Sequence, residues 1–155
     1  MKVVIHSALG ASRRARDTLD GAALEVSLAR PSEAPEWLPS FHMSQVRATA
    51  GIAYIDFGDG QRAVNELQAA LGGIKSHSLH RSLILAYASE AYAMIREPEH
   101  STALLRQAVP AASESRSVLR TARIRRARRA LEPWDREPFV TELDGQLAIA
   151  GLRET

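Results

Sequence analysis

The chain repeats itself at a step of about 38 residues, and this periodicity restricts its fold more than any other feature of the sequence. Shifted by that step, small residues, aromatic residues and leucines come into register without a gap. The aligned columns are Gly51, Ser89 and Ala127; Tyr54 and Tyr92; Leu67, Leu105 and Leu143; Leu71, Val109 and Leu147; and Ala70 and Ala108. Neighbouring positions within a unit are three or four residues apart, as on one face of a helix. The repeat therefore predicts an array of helical hairpins.

The clearest unit contains the stretch from Gly51 to Ala70, GIAYIDFGDGQRAVNELQAA. It has an aromatic residue three positions after Gly51, a turn glycine at Gly58, and then Ala63 and Leu67 at helical spacing. Small residues at Gly51 and Ala63 would let two helix backbones approach closely. This layout resembles a tetratricopeptide repeat (TPR) unit. The resemblance implies an all-α, TPR-like right-handed superhelical array of antiparallel helix hairpins, with about six or seven helices in total.

Apolar periodicity, glycine and proline divide the chain into segments. Prolines 31, 35 and 39 predict a connector over 31–40, in which Trp37 packs against the neighbouring helices. Pro110 is expected to truncate or kink the last turn of its helix. We expect residues 1–40 to hold an N-terminal helix and this connector, and residues 41–150 to form the array, packed as one domain. Helices are predicted over 9–30, 41–57, 61–71, 81–96, 98–112, 115–131 and 137–150, and units over about 41–78, 79–116 and 117–150.

Composition limits the class of protein. The chain is 45% hydrophobic and only 5% aromatic, which favours a core of alanine and leucine between close-packed helices. It contains no cysteine, so disulfides and thiolate metal sites are excluded. We find neither a signal peptide nor an apolar stretch of the roughly 18 to 20 residues that a membrane span needs. The sequence therefore predicts a cytoplasmic protein with no membrane partner.

Positive charge is concentrated in one predicted helix. The segment 114–131 contains seven arginines and one glutamate, a charge of +6, so the rest of the chain carries −4 against a total of +2. Five of these arginines could contact the phosphates of a nucleic acid. The alternative is a solvated face whose guanidinium groups pair with acids such as Glu132, Asp135, Glu137 or Glu142. The candidate phosphate contacts are Arg116, Arg120, Arg123, Arg126 and Arg129.

No catalytic motif emerges from the sequence. The histidines His77 and His80 are the only close pair, with no carboxylate or thiolate at ligand spacing, so we predict no metal site. Asp56 and Asp59 lie in one turn, where a helix cap explains Asp59 better than paired acid–base chemistry does. There is no GxSxG motif and no phosphate-binding loop. We therefore predict a protein that is not an enzyme and has no cofactor.

Three longer stretches resemble a larger family. APEWLPSFHMSQVRATAGIAYIDFGDGQRAVNELQAAL, LILAYASEAYAMIREPEHSTALLRQAV and RIRRARRALEPWDREPFVTELDGQL are similar to the C-terminal TPR region of actinobacterial XRE-family helix-turn-helix transcriptional regulators. The resemblance covers about residues 36–147 and does not include the DNA-binding domain of that family. It implies a sensory or oligomerising module that binds a protein or peptide, with nucleic acid involved only indirectly or weakly. Both a monomer and a homodimer remain open.

TPR arrays usually bind partners on the face formed by the first helix of each hairpin, and the resemblance carries that face over to this chain by position. Ala48 and Ile52 stand where chaperone-binding members have a carboxylate clamp, so a chaperone adaptor is not expected. An apolar face with one acid and one arginine instead suits an amphipathic peptide or helix. The alternative is that several of these residues only pack against the neighbouring helix. The predicted partner-binding residues are Gln45, Ile52, Ile55, Leu83, Glu90, Met94, Ile124 and Arg128.

Overall fold

A computed structural model describes residues 38–74 and 79–153, and within these ranges the chain is entirely helical. The predicted all-α class is therefore confirmed for this part of the chain, whereas the expected helix over 9–30 and the position of Trp37 lie outside it. The first five helices pack successively on each other, the sixth packs on the fourth, and the first helices of neighbouring hairpins also touch. The helices are α1 (Leu38–Asp56), α2 (Gly60–Gly72), α3 (Leu79–Met94), α4 (Pro98–Ser115), α5 (Val118–Arg129) and α6 (Pro138–Ile149), with a 3₁₀ turn at Glu132–Trp134 between α5 and α6.

The first two hairpins turn in the same way, one repeat step apart. In the first, Gly58 has a positive φ of 76° and the next amide, that of Asp59, donates to the Tyr54 carbonyl at 2.9 Å. In the second, Arg96 has a φ of 62° and the Glu97 amide donates to the Tyr92 carbonyl at 3.0 Å. This is a left-handed helix ending that satisfies a free carbonyl. The backbone of these two hairpins thus follows the period that the sequence shows.

The start of α2 is capped as the sequence predicts. The Asp59 side chain accepts a hydrogen bond from the Arg62 amide at 3.2 Å. Such a cap satisfies one of the amides that the first helical turn leaves without a partner, and a carboxylate there also interacts favourably with the helix dipole. Asp59 is therefore a structural residue of the turn.

The columns of the repeat form the core. Leu67, Leu105 and Leu143 are fully buried, and Leu71, Val109 and Leu147 are at most 7% exposed. Each buried leucine or valine contributes about 1.5–3 kcal/mol relative to an exposed one. The apolar positions that align between units therefore supply much of the stability of the array.

The helices of the first hairpin cross at Gly51. A Cβ atom on Gly51 would lie 2.5 Å from Cγ of Leu67 and 3.3 Å from the Ala63 carbonyl oxygen. In the second hairpin the same two positions hold Ser89 and Ser101, both fully buried. The Ser101 hydroxyl donates to the Ser89 carbonyl at 2.7 Å and its oxygen lies 3.0 Å from that of the Ser89 hydroxyl. Serine fits at this crossing because each hydroxyl finds a partner.

The third hairpin is more open. Ala127 is fully buried at its crossing, but Phe139 occupies the position that is Ala63 in the first hairpin. The backbones of α5 and α6 approach each other less closely than those of the other two pairs. No positive φ occurs at Trp134, which aligns with Gly58, and the 3₁₀ turn takes the place of the left-handed ending. The wider separation accompanies the change from a small residue at this position to Phe139, whose side chain is only partly buried.

Side chains also link the first two hairpins. The Arg81 guanidinium of α3 donates to the carbonyl oxygens of Leu71 at 2.8 Å and Ile74 at 3.3 Å, at the end of α2. The Gln68 amide of α2 donates to the Tyr92 hydroxyl of α3 at 3.1 Å. The bonds from Arg81 satisfy carbonyls that the end of α2 leaves without intrahelical partners.

Two proline-based boundaries, a connector that reaches residue 40 and a truncation at Pro110, are wrong. Helix α1 begins at Leu38, inside the segment assigned to the connector, because Pro39 falls in its first turn, where a missing amide costs nothing. Helix α4 is not truncated near Pro110 and continues to Ser115, whereas the kink expected as the alternative stays a prediction. Proline removes one amide donor from the helix ladder, and the packing of buried Val109 and Ala112 holds the helix across that gap.

Two glycines inside helices test the importance of the crossing. We expect Gly51→Ala to lower the free energy of unfolding by about 1–3 kcal/mol, because the added methyl group overpacks the contact with Leu67. Gly145→Ala in α6 is the matched control, because a Cβ there meets nothing within 4 Å and should stabilise the helix by about 0.5–1 kcal/mol. Urea unfolding followed by circular dichroism measures both. A Gly51→Ala variant as stable as the parent would contradict a tight crossing.

Candidate functional site

A cluster of charged side chains joins the three first helices of the hairpins. Glu90 of α3 pairs with two arginines of α5, accepting from Arg123 through Oε2 and from Arg126 Nε through Oε1 at 3.2 Å. The second arginine also reaches Asp56 of α1, with Nη2 3.9 Å from Oδ1. We call these four residues the Glu90 cluster. One carboxylate therefore lies between two guanidinium groups, and a second acid completes a charge-neutral set.

The inner part of the cluster is buried. The side chains of Glu90 and Arg123 are only 12% and 7% exposed. The Arg123 guanidinium lies over the ring of Tyr87, with Cζ 3.6 Å from the ring centroid, a cation–π contact. Burial lowers the pKa of Arg123 to about 10, and the positive charge of Arg126 acts in the same direction. Arg123 thus remains charged at neutral pH, and it needs Glu90 as its counter-ion.

The outer part of the cluster is accessible. The Arg126 side chain is 52% exposed and that of Asp56 is 66% exposed, and their separation of 3.9 Å is long for an ion pair. Exposed pairs of this kind contribute little to stability. The contact between Arg126 and Asp56 can therefore open toward a bound partner without a large loss of stability, while Arg126 Nε keeps its bond to Glu90.

A second cluster closes the open third hairpin. Arg128 of α5 donates to Asp144 of α6 through two nitrogens, at 2.5 and 2.7 Å, and to Asp135 after the 3₁₀ turn at 2.8 Å. The hydrogen bonds from Arg128 lower the pKa of Asp144, and the hydrogen bonds to Asp144 raise the pKa of Arg128. Nearby, Arg125 donates to the carbonyl oxygens of Leu152 at 3.1 Å and Arg153 at 3.0 Å. Long side chains thus bridge the gap between α5 and α6.

The predicted partner-binding residues differ in exposure. Gln45 and Met94 are exposed, Ile52, Leu83 and Arg128 are partly buried, and Ile55, Glu90 and Ile124 are buried. Ile55 is 6% exposed and Ile124 fully buried, so both pack within the core. Glu90 forms ion pairs with its two arginine partners. The role of the predicted residues in binding stays a prediction. The accessible part of this surface, which we call the first-helix face, consists of Gln45, Ile52, Leu83 and Met94 with Asp56 and Arg126.

The candidate phosphate contacts also differ in accessibility. Arg116, Arg126 and Arg129 are exposed, whereas Arg120 is partly buried and Arg123 is buried. Phosphate contact by these residues stays a prediction, but the guanidinium of Arg123 faces Glu90 and Tyr87. Of the acids expected to pair with this helix, Asp135 contacts Arg128, whereas Glu142 pairs with Arg106 of α4 at 2.6 Å.

Sequence reasoning missed the two acids that matter most to α5. Asp144 is not among the acids that the sequence predicts as partners of this helix, and Glu90 is predicted only as a residue that binds a ligand. Both lie far from their arginines in sequence, 16 residues for Asp144 and 33 and 36 for Glu90. The one available signal was the contrast between the +6 of this segment and the −4 of the remainder.

Other chemistry is sparse on the described surface. In residues 38–74 and 79–153, no group of three acids or histidines is placed to hold a metal ion, and no helix is long and apolar enough to cross a bilayer. His100 stacks on Tyr92 with ring centroids 5.4 Å apart and lies 3.3 Å from a carboxylate oxygen of Glu97, which gives it a packing role.

Comparisons with family models, curated proteins and solved structures find no match.

Glu90 can be tested through stability. We expect Glu90→Gln to lower the free energy of unfolding by about 3–5 kcal/mol, because Arg123 would remain buried without its counter-ion. Glu142→Gln is the control, because Glu142 is 64% exposed and its pair with Arg106 is worth at most about 1 kcal/mol. Replacing Glu90 and Arg123 together by methionine should recover most of the loss. Equal effects of the two single changes in urea unfolding would contradict a buried pair.

Asp144 should make stability depend on pH. Because its pKa is lowered in the folded state, its contribution is fully present above the ordinary value of 3.8 and is lost as the pH falls through the folded value. Asp144→Asn should therefore cost about 1.5–3 kcal/mol at pH near 7, and this difference from the parent should shrink below a pH of about 4. Glu132→Gln, in the same cleft, is the control. A difference that stays constant down to pH about 2, measured by urea unfolding, would argue against the bond to Arg128.

Proposed function

We propose that this protein is a non-enzymatic, TPR-like regulatory module that binds a protein or peptide on its first-helix face. We further propose that it acts in the cytoplasm as the sensory or oligomerising part of a transcriptional regulator related to the XRE family. The observation that carries the proposal is the Glu90 cluster, in which Asp56 of α1, Glu90 of α3 and Arg126 of α5 meet. The first helices of three hairpins thus contribute to one surface.

The TPR-like arrangement is supported by features that recur in the backbone. The turns at Gly58 and Arg96 share their geometry, and small residues lie at both of the crossings in these hairpins. Each second helix also packs on the first helix of the next hairpin, as expected where hairpins stack. A right-handed superhelix is the arrangement we propose for these hairpins.

The chemistry of the first-helix face suits a peptide. Met94 is 37% exposed, and Ile52 and Leu83 are partly buried, so apolar side chains of both α1 and α3 are accessible. Asp56 and Arg126 add one charge of each sign at the edge. An amphipathic segment with few net charges matches such a surface, because apolar anchors supply affinity and the charges orient the chain.

Site-specific photo-crosslinking tests this face. A crosslinking amino acid placed at Gln45 or Met94 should capture the same partner from an extract of the organism that encodes the chain. The same residue at Asn65 of α2 or Ala103 of α4, both exposed on second helices, should not capture it. Met94→Glu should weaken the captured complex about tenfold, because a charge would have to be buried against the partner. Equal capture from all four positions, or none, would contradict the proposal.

The alternative function is binding of nucleic acid through α5. It is less favoured because at least four of the seven arginines are engaged by side chains or carbonyl groups, namely Arg123, Arg125, Arg126 and Arg128. Fluorescence anisotropy with duplex DNA at about 50 and 200 mM salt separates the two functions. Affinity that falls steeply between these concentrations, and that is lost when the exposed Arg116, Arg126 and Arg129 are changed to alanine, would favour nucleic acid.

A further inference from the structure

A groove lies away from the first-helix face, among the end of α4, the start of α5 and the residues that follow α6. It consists of two adjoining depressions of about 600 and 670 Å³, which share Ser113 and Ala150. The Ser113 hydroxyl donates to the Ala150 carbonyl at 3.2 Å, and these two residues separate the two depressions. We call this the C-terminal groove.

The C-terminal groove is bordered by exposed aliphatic side chains. Val118 on one side is 84% exposed and Ile149 on the other is 91% exposed. Leu119, which follows Val118, is 66% exposed. Several lining residues are small, namely Ala112, Ala122, Ala150 and Gly151, so the floor leaves room for a large side chain from outside. Clustered exposed apolar residues of this kind mark interaction sites.

The rim of the groove is positively charged. Arg116 is exposed at the C-terminal end of α4, and no residue of the described part of the chain pairs with it. Arg125 is held by the carbonyl oxygens of Leu152 and Arg153, so its charge also has no carboxylate partner among the described residues. Arg106 is neutralised by Glu142, and Glu114 is the one acid among the described residues that line the groove. The groove therefore combines apolar walls with a net positive charge.

These features identify the kind of occupant. We propose that the C-terminal groove binds an amphipathic helix of a partner protein, which inserts bulky apolar side chains between Val118 and Ile149 and places acidic side chains beside Arg116 and Arg125. A helix fits because its apolar side chains recur at three or four residues, so that successive anchors can enter the two depressions. This site is separate from the first-helix face and goes beyond the function proposed above.

A second copy of this chain is a poorer occupant. A symmetric dimer through this groove would place the same patch against itself, so that Arg116 and Arg125 of one copy would face those of the other. Like charges brought together at an interface oppose association. Because Arg116 and Arg125 have no carboxylate partner within residues 38–74 and 79–153, an acidic partner suits the groove better than a second copy does.

The backbone supplies a matched control for Arg116. This residue has a φ of 47°, in the left-handed region, and Arg96 has a φ of 62° at the end of α3. Both are arginines that follow a helix at a left-handed position, so a change to glutamate perturbs the local backbone and the net charge in the same way at either position. Arg96 does not line the groove.

Peptide selection tests the proposal on the full chain. The probe is a display library of helices about 16 residues long, with a fixed leucine stripe and flanking positions drawn from Glu, Lys and Gln. We expect selection for acidic flanks. Arg116→Glu should weaken the selected peptide about tenfold in fluorescence anisotropy, and Val118→Ser and Ile149→Ser about fivefold each, whereas Arg96→Glu should change its affinity less than about twofold.

Several results would overturn the proposal. It fails if no peptide is enriched, if the enriched flanks are neutral or basic, or if Arg96→Glu and Arg116→Glu weaken binding equally. It also fails if sedimentation shows a dimer of the full chain that Ile149→Ser dissociates, because a second copy would then occupy the groove. Circular dichroism of each variant checks that the helices are retained. Crosslinking at Gln45 and Met94 is independent of these results, so the two surfaces can succeed or fail separately.

Discussion

The distance between paired helices is the constraint on which the rest of this array depends. Gly51 leaves space for Leu67 in the first hairpin, and two hydrogen-bonded serines fit in the second. In the third, where Phe139 stands at the aligned position, α5 and α6 are further apart. Small side chains at the crossing thus accompany close backbone packing in two hairpins, whereas long side chains connect the helices of the third. In the third hairpin Arg128 spans the gap to Asp144 and Asp135.

The arginines of α5 depend on acids that other parts of the fold bring close to them. A helix with so many positive charges would repel itself, but acids from other parts of the chain meet it. Glu90 and Asp56 approach on one side, and Asp144 and Asp135 on the other. Because Arg123 is buried, its charge can be tolerated only with α3 in place. The packing of α5 therefore depends on both the preceding hairpin and its own partner helix, which couples the units of the array.

The sequence predicted best what depends on local periodicity. The helical class, the turn at Gly58 and the buried leucine column follow from the helical spacing of apolar residues and from the repeat step, and the structure agrees with them. The partners of α5 could not be predicted in this way, because Glu90 and Arg123 meet only after two hairpins have stacked. The helix boundaries expected at Pro39 and Pro110 are wrong for a different reason. Proline disfavours a helix interior on average, but its cost depends on its position in the helix and on packing around it.

The two proposed surfaces differ in how their charge is balanced, and this difference separates the partners they suit. On the first-helix face, Glu90 and Asp56 neutralise Arg123 and Arg126, so recognition there rests on apolar contact and shape. In the C-terminal groove, Arg116 and Arg125 have no carboxylate partner among the described residues. Uncompensated surface charge attracts an opposite charge from a distance, and salt screens that attraction over about 10 Å. An acidic partner in the groove would therefore bind quickly and with strong salt dependence, whereas a partner on the first-helix face would not.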